Sequence, residues 1–261
     1  MKIVYLTNSQ LLNMEIIKKT IKLRKWITAE LDSYWQGLLS FPYPNNCLIC
    51  TNQLSDKNSK LCLLCLSELP FTFYEKDLKN SRVAEIFFGR VNIEYTYSML
   101  FFESANSTQK LLHKLKYEND KELAKYLGRL IGSKLAQENS VTEFDYLLPV
   151  SLHSKKEFTR GYNQSELIAQ GISEKIQCEV LSGYIKKKKN NQSQTKKNRQ
   201  QRLDNVSGLF YIKNAGKLNK KHVALIDDVL TTGATLEAMA NELIQNTTQT
   251  KVSIITLAFS K

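Results

Sequence analysis

The sequence lacks any uninterrupted apolar run long enough to span a bilayer. Its N-terminus also lacks the long apolar stretch of a secretory signal, because polar and basic residues follow MKIVYL. No internal repeat is visible. These absences predict a cytoplasmic chain, in which thiols stay reduced and cysteines serve as metal ligands rather than disulfide partners. Met14 is an alternative start codon, a hypothesis that mass spectrometry of the native N-terminus would test.

Disorder along the whole chain is excluded by composition. Hydrophobic residues make up 42% of the sequence and charged residues 24%, both close to ordinary globular values. The chain of 261 residues is long enough for one full core with a small satellite. It is too long for a miniprotein held together by disulfides.

One stretch has no acidic residue and carries much of the net charge of +12, which is 37 basic minus 25 acidic residues. This basic loop, residues 186–202, contains Lys186, Lys187, Lys188, Lys189, Lys196, Lys197, Arg199 and Arg202. Such a cluster attracts polyanions, either nucleic acid or a small phosphorylated ligand. A solvated loop that only aids solubility explains the charge equally well.

Strand and helix patterns alternate in the second half of the chain. They predict strands at 93–102, 144–150, 179–185, 206–212, 222–229 and 251–259, and helices at 10–36, 107–117, 120–137, 164–176 and about 235–244. The alternation predicts an α/β fold with a mostly parallel sheet flanked by helices.

The first half contains two matched CxxC pairs, Cys47 with Cys50 and Cys62 with Cys65. Four thiolates at the corners of a tetrahedron suit Zn²⁺, which imposes no electronic geometry of its own. All four ligand positions are filled, so the ion is expected to be structural. Four reduced, buried thiols are the less favoured alternative. The fifth cysteine, Cys178, is expected to be a thiol without a role.

The sharpest signal follows the strand at 222–229. Asp227 and Asp228 stand at its end, and the turn Thr231-Thr232-Gly233-Ala234-Thr235 leads into a helix. Gly233 lets the backbone curl around an anion, and amides at a helix start can converge on a phosphate. The carboxylates would repel that phosphate and suit sugar hydroxyls, or the water shell of Mg²⁺. The segment therefore predicts a sugar-phosphate site. A capped helix after an ordinary strand explains Thr235 alone.

Four stretches resemble one family. LIDDVLTTGAT (225–235) resembles the phosphoribosyl-pyrophosphate (PRPP) loop of type I phosphoribosyltransferases, and most closely that of the competence-associated ComF branch. The segments LLPVSLH (147–153) with RGYNQSELIA (160–169), TKKNRQQRLDNVSGLF (195–210), and the paired cysteines after LLSFPYP resemble further ComF segments. The resemblance runs from about residue 38 to the end.

The resemblance implies a type I phosphoribosyltransferase-like domain at 85–261 and a zinc ribbon at 41–75. The helical spacing of apolar residues at 10–36 separately predicts an amphipathic helix within 1–40. The resemblance also implies that Lys155, Lys156 and Arg160 bind pyrophosphate beside the PRPP loop, with Zn²⁺ and Mg²⁺ as the metals. The sequence departs from the family pattern at Ser151, where proline is usual, at Lys156, where arginine is usual, and at Phe158, where a basic residue is usual. Lysine keeps the charge of arginine but loses its bidentate fork.

Two functions are expected from these features. The first is binding of PRPP or another phosphorylated sugar, with phosphoribosyl transfer, in a protein associated with DNA uptake. The second is a non-catalytic adaptor that binds single-stranded DNA and competence proteins. It would use the basic loop and the zinc module as its binding surfaces. Glutamine-dependent amidotransfer is not expected, and no side chain is a convincing general base, His153 being the nearest candidate. Lys114 and Lys116, at the end of the helix at 107–117, face either the pocket or solvent. His222 is expected at the surface, and Tyr117, Tyr162 and Tyr184 are expected in the core.

Overall fold

The computed structural model describes residues 45–102, 107–118, 120–137, 144–150, 161–187 and 209–260. The helix predicted at 10–36 lies outside these ranges. No helix within them is both long enough and apolar enough to cross a membrane.

A five-stranded parallel sheet forms the centre of the molecule, as the alternating pattern predicts. The strand order is β1-β7-β6-β2-β3, and every neighbouring pair is parallel. The bounds are β1 Thr96–Phe102, β2 Tyr146–Pro149, β3 Glu179–Val180, β6 His222–Leu230 and β7 Lys251–Ser260, while β4 Ile185–Lys187 and β5 Phe210–Ile212 form a separate antiparallel pair.

Helices cover both faces of this sheet. They are α1 Leu63–Ser67, α2 Arg82–Phe87, α3 Ser107–Tyr117, α4 Lys121–Gln137, α5 Gln164–Ile176 and α6 Ala234–Asn246, with 3₁₀ turns at Tyr74–Lys76 and Ala215–Leu218. Side chains alternate between faces along a strand. Leu147 and Ile226 accordingly pack with α3, α4 and α5, whereas Leu148 and Leu225 pack with α2 and α6. Burial on both faces explains why the strands are almost continuously apolar.

Two helices of the first face approach each other unusually closely. A Cβ atom at Gly128 of α4 would lie 2.2 Å from the Ile168 carbonyl oxygen of α5. One at Gly171 of α5 would lie 2.2 Å from the Lys125 carbonyl oxygen of α4. Only glycine permits this spacing, which sets how closely α5 packs against α4.

The cysteine segment shares the main core rather than standing apart from it. Cys47, Leu61 and Cys65 belong to the same buried cluster as residues of α3 and α4. The chain after α1 runs beside β1, where the Phe101 amide donates to the Pro70 carbonyl at 2.8 Å.

The region around the basic loop differs from its prediction in two ways. The strand expected over 179–185 is divided into β3 and β4 by a turn in which Gly183 has a φ of +69°. Lys186 and Lys187, expected within the loop, lie instead in β4, because they pair with Tyr211 and Phe210 of β5.

Candidate functional site

The fold brings the predicted site to the point where the chain connections diverge. From β2 the chain passes through α5 to β3 on one side of the sheet, and from β6 it passes through α6 to β7 on the other. The crevice beyond the carboxyl ends of β2 and β6 is therefore a topological switch point, where open α/β sheets bind ligands. β2 pairs up to Ile226, so the next residues, Asp227 and Asp228, lie at this crevice.

The two aspartates make different contacts. Asp227 Oδ1 accepts hydrogen bonds from Ser165 Oγ at 3.0 Å and from the Asp228 amide at 2.9 Å. Burial raises the pKa of Asp227 to about 7, and the charge of Asp228 acts in the same direction. Asp228 Oδ2 lies 3.4 Å from Lys116 Nζ at the end of α3. The doublet thus joins a carboxyl group that holds its proton to unusually high pH and a carboxylate paired with a cation.

The turn after β6 has an open helix start. Gly233 has a φ of +75° and caps α6 without a side-chain hydrogen bond. Thr231, Thr232, Ala234 and Thr235 are all exposed. The first amides of a helix have no partner within the helix, and the helix dipole makes this end positive. The backbone here is suited to an anion, next to carboxylates that suit hydroxyl groups.

Helix α2 and Arg90, whose role the sequence did not indicate, contact this turn. A Cβ atom at Gly233 would lie 2.9 Å from Ile86 Cγ2 and 3.0 Å from Phe87 Cε1, both in α2. Arg90 Nη1 donates to the Ile86 carbonyl at 2.9 Å and to the Thr232 carbonyl at 3.2 Å, while its other terminal nitrogen pairs with Glu237 of α6. Arg90 therefore ties the turn to the helices on both sides of it.

The start of α5 connects the other walls of the crevice. Asn163 Oδ1 accepts from the Ser165 amide at 3.1 Å and so caps α5, while Asn163 Nδ2 donates to the Val150 carbonyl at 3.0 Å. The Tyr162 hydroxyl donates to the Leu115 carbonyl at 2.6 Å, and Gln164 Nε2 donates to the same oxygen at 3.5 Å. The motif RGYNQ thus includes residues that join β2, α3 and α5.

Three predicted pyrophosphate ligands, Lys155, Lys156 and Arg160, lie outside the described residues, as does His153. The chain on either side of them is placed, because Val150 follows β2 and hydrogen-bonds to Asn163. The Val150 amide donates to the Ile226 carbonyl at 2.9 Å. Val150 and Asn163, described residues before and after 151–160, therefore lie near the acid doublet.

The four paired cysteines meet at one point. Their sulfur atoms all lie within 4.8 Å of one another, and the Cys50 and Cys62 sulfurs are 3.6 Å apart. A Zn–S bond of about 2.3 Å implies sulfur–sulfur separations of about 3.8 Å in a tetrahedral site. Burial opposes ionisation of Cys47, but backbone amides of Cys50, Cys62 and Ile49 lower its pKa to about 6. The cluster therefore fits a structural Zn²⁺.

The basic loop is only partly described. Lys186 and Lys187 are exposed on β4, and Tyr211, opposite Lys186 on β5, is 41% exposed. The remaining candidates for nucleic-acid contact lie outside the described residues. These are Lys188, Lys189, Lys196, Lys197, Arg199 and Arg202.

The structure also shows the burial of four side chains for which the sequence made a prediction. His222 is buried, not at the surface, because it begins the interior strand β6 and its Nε2 lies 2.8 Å from Ser253 Oγ. Tyr117 is 70% exposed instead of lying in the core, since α3 ends there. Tyr162 is buried as expected, and the buried Cys178 thiol donates to the Phe144 carbonyl at 3.2 Å.

Comparison with known proteins agrees with this geometry. Residues 163–261 match the family model described as phosphoribosyl transferase domain. Competence protein F of Haemophilus influenzae is 30% identical over 139 residues, which span 51% of this chain and 60% of that protein. DNA utilization protein YhgH of Escherichia coli K12 is 27% identical over 139 residues, 52% of this chain and 60% of that protein. Competence protein ComFC of Bacillus subtilis is 26% identical over 230 residues, 87% of this chain and 89% of that protein.

Proposed function

Since the chain is a ComF-family protein with a phosphoribosyltransferase domain, we propose that it binds PRPP, or a related ribose 5-phosphate, at the end of β6. The observation that carries the proposal is the placement of the acid doublet and the open start of α6 together at the switch point between β2 and β6. The names of its relatives further suggest that this binding serves DNA utilisation in competence.

The two halves of the site have complementary roles. Asp227 and Asp228 accept hydrogen bonds from the 2′- and 3′-hydroxyls of the ribose. Amides and hydroxyls from Thr231 to Thr235 donate to its 5′-phosphate, which the positive end of α6 also favours. Lys155, Lys156 and Arg160 neutralise the pyrophosphate group.

Phosphoribosyl transfer from this complex needs little covalent chemistry from the protein. A nitrogen nucleophile attacks the anomeric carbon as pyrophosphate leaves, and the protein contributes orientation and charge stabilisation. Mg²⁺ supplies charge neutralisation to the leaving pyrophosphate when it is bound. Within the described residues, the cysteine cluster is the only group of three or more His, Cys, Asp or Glu side chains positioned to hold a metal. Mg²⁺ would therefore be held by the phosphates of the ligand, and the aspartates would contact the water molecules bound to the ion.

Isothermal titration calorimetry with PRPP and Mg²⁺ tests the proposal. Wild type is expected to bind, and Asp227→Asn/Asp228→Asn is expected to lose at least about tenfold in affinity, since an amide replaces the carboxylate acceptor of Asp228 and a second amide alters the acceptor at Asp227. A matched control is Glu174→Gln/Glu179→Gln, which removes two exposed carboxylates from the opposite end of the sheet. Equal heats for wild type and the aspartate variant would refute the site.

A second candidate function, binding of single-stranded DNA, is favoured by the β4–β5 pair. Exposed Lys186 and Lys187 lie beside partly exposed Tyr211, a combination of cation and aromatic ring that suits a flexible strand. The zinc module offers a different surface, because α1 exposes the apolar side chains of Leu63 and Leu64.

Neutralising the four lysines at 186–189 with glutamine tests this second function. Affinity for an oligonucleotide is expected to fall, and the dependence of the binding constant on salt is expected to become shallower, because fewer counterions are released. Unchanged binding with an unchanged salt slope would exclude these lysines as the contact. Substituting four exposed lysines elsewhere provides the control for total charge.

A further inference from the structure

Lys116 is a feature of the site that neither the motif nor the family model contains. It occupies the last turn of α3, and its ammonium group lies 3.4 Å from Asp228 Oδ2. Both side chains are mostly shielded from solvent, with 29% of Lys116 and 18% of Asp228 exposed. An ion pair screened in this way is weakened less by salt than one at the open surface.

The position of Lys116 is fixed by the residue before it. Leu115 is fully buried, and its carbonyl oxygen accepts hydrogen bonds from Tyr162 and Gln164 at the start of α5. The same stretch of α5 provides Ser165, which donates to Asp227. The end of α3 is therefore anchored to the helix that contacts the acid doublet, so that the next side chain extends towards Asp228.

A neighbouring lysine on the same helix shows that this arrangement is specific. Lys114 lies two residues earlier, and its Nζ pairs with Glu118 Oε2, just after the end of the same helix, at 2.8 Å. Residues two apart on a helix point in different directions. Lys114 thus carries the same charge at nearly the same place in the sequence without taking part in the site.

The charge of Lys116 addresses a difficulty in the proposed function. A ribose 5-phosphate brings negative charge to a crevice that already contains two neighbouring aspartates. Lys116 balances one of these carboxylates from within the protein. Its ammonium group occupies one side of Asp228, next to Oδ2.

We propose that Lys116 is the resident cation of the ribose-phosphate site and that it allows a ribose 5-phosphate to bind without Mg²⁺. This inference rests on the proposed function. It assigns Mg²⁺ to the pyrophosphate part of a ligand and Lys116 to the ribose part. A ligand that lacks pyrophosphate is then expected to bind with the same affinity whether or not Mg²⁺ is present.

The test is calorimetric titration of ribose 5-phosphate into zinc-loaded protein, with and without Mg²⁺. Mg²⁺ is removed from the buffer with a chelating resin rather than EDTA, which would compete for zinc. Wild type and Lys114→Met are expected to bind equally well in both buffers. Lys116→Met is expected to lose at least about tenfold in affinity without Mg²⁺ and to recover part of it when Mg²⁺ is added, while Lys116→Arg is expected to bind without Mg²⁺.

Other results of these titrations would overturn the inference. If Lys116→Met binds as tightly as wild type without Mg²⁺, or loses the same affinity in both buffers, the inference is wrong and the proposed function stands. The same applies if wild type itself requires Mg²⁺. If wild type binds ribose 5-phosphate in neither buffer, the inference is wrong, and the titration with PRPP and Mg²⁺ then decides the proposed function separately. Unfolding in urea, compared between Lys116→Met and Lys114→Met, separates a loss of binding from a loss of the fold.

Discussion

Gly233 is the position at which a single methyl group is expected to damage both the fold and the proposed site. Its φ of +75° is in the left-handed region, where a residue with a side chain costs about 1–2 kcal/mol. The added Cβ would also lie 2.9 Å from Ile86 Cγ2 and 3.0 Å from Phe87 Cε1. Overpacking of this kind costs about 1–3 kcal/mol. Because Phe87 is only 1% exposed and has little space to move, Gly233→Ala is expected to destabilise the protein by about 3 kcal/mol.

Alanine substitutions at two other glycines distinguish the cost of the positive φ from the cost of the steric clash. Gly89 has a φ of +70°, and no atom lies within 4 Å of the place that an added methyl group would occupy, so Gly89→Ala is expected to show the backbone cost alone, about 1–2 kcal/mol. Gly216 has neither a positive φ nor a close neighbour. Gly216→Ala is expected to be neutral, or to stabilise by about 0.4–1 kcal/mol by restricting the unfolded chain.

Urea unfolding of the three alanine variants measures these differences. If Gly233→Ala is no less stable than Gly89→Ala, the contact with α2 is not a rigid one and the reasoning fails. A double-mutant cycle gives an independent check, since Ile86→Ala removes one of the two clashing groups. Gly233→Ala is expected to cost less in that background, and strict additivity would count against the contact. Affinity for ribose 5-phosphate is expected to fall in parallel with stability in the Gly233→Ala variant.

Three further predictions concern other parts of the molecule. Gly171→Ala is expected to cost about 3 kcal/mol or more, measured by urea unfolding, because its Cβ would lie 2.2 Å from the Lys125 carbonyl oxygen; a neutral result would show that α4 and α5 can separate freely. Cys65→Ser is expected to abolish stoichiometric zinc in elemental analysis and to lower the unfolding midpoint, and one retained equivalent of zinc would contradict the site. Burial and the charge of Asp228 raise the pKa of Asp227 to about 7, so its ionisation opposes folding increasingly from about pH 4 to pH 7. Asp227→Asn is therefore expected to be more stable than wild type at about pH 8, by up to about 4 kcal/mol, and equal to it near pH 4; lower stability at the higher pH would refute the buried carboxyl.

The parallel sheet was largely predictable from sequence because its signal is local. β6 and β7 are buried on both faces, so each is an almost unbroken apolar run bounded by polar residues. The helices α3 and α5 were predicted with their observed bounds, since apolar residues recur at helical spacing and Asn163 caps the second of them. The acid doublet was predicted at the end of its strand, and in the structure it lies inside β6, with Asp228 two residues before the last residue, Leu230.

The contacts of α2 and Arg90 with the proposed phosphate turn were not predicted, because they join residues that are far apart in the sequence. α2 has six residues, too few for a helical period to be recognised, and Ser81 as its N-cap was the one available signal. Arg90 hydrogen-bonds to Thr232, 142 residues later in the chain. Such a pairing depends on the strand order and leaves no trace in a local pattern. For Lys114 and Lys116 the sequence left open whether they face the pocket or solvent, because the partner of Lys116, Asp228, is on another element.

The cysteine cluster and the proposed ribose-phosphate site are connected through one packed core. Lys60 lies between the two cysteine pairs, and its Nζ is 3.8 Å from Asp120 Oδ2. Asp120 Oδ1 accepts a hydrogen bond from the Leu123 amide at 2.9 Å, where α4 begins. Cys47 and Cys65 share their buried cluster with Leu115, the residue whose carbonyl anchors the end of α3. A packed core transmits a local change of volume to its neighbours. The cysteine cluster therefore shares its packing with the helix that carries Lys116 to the acid doublet.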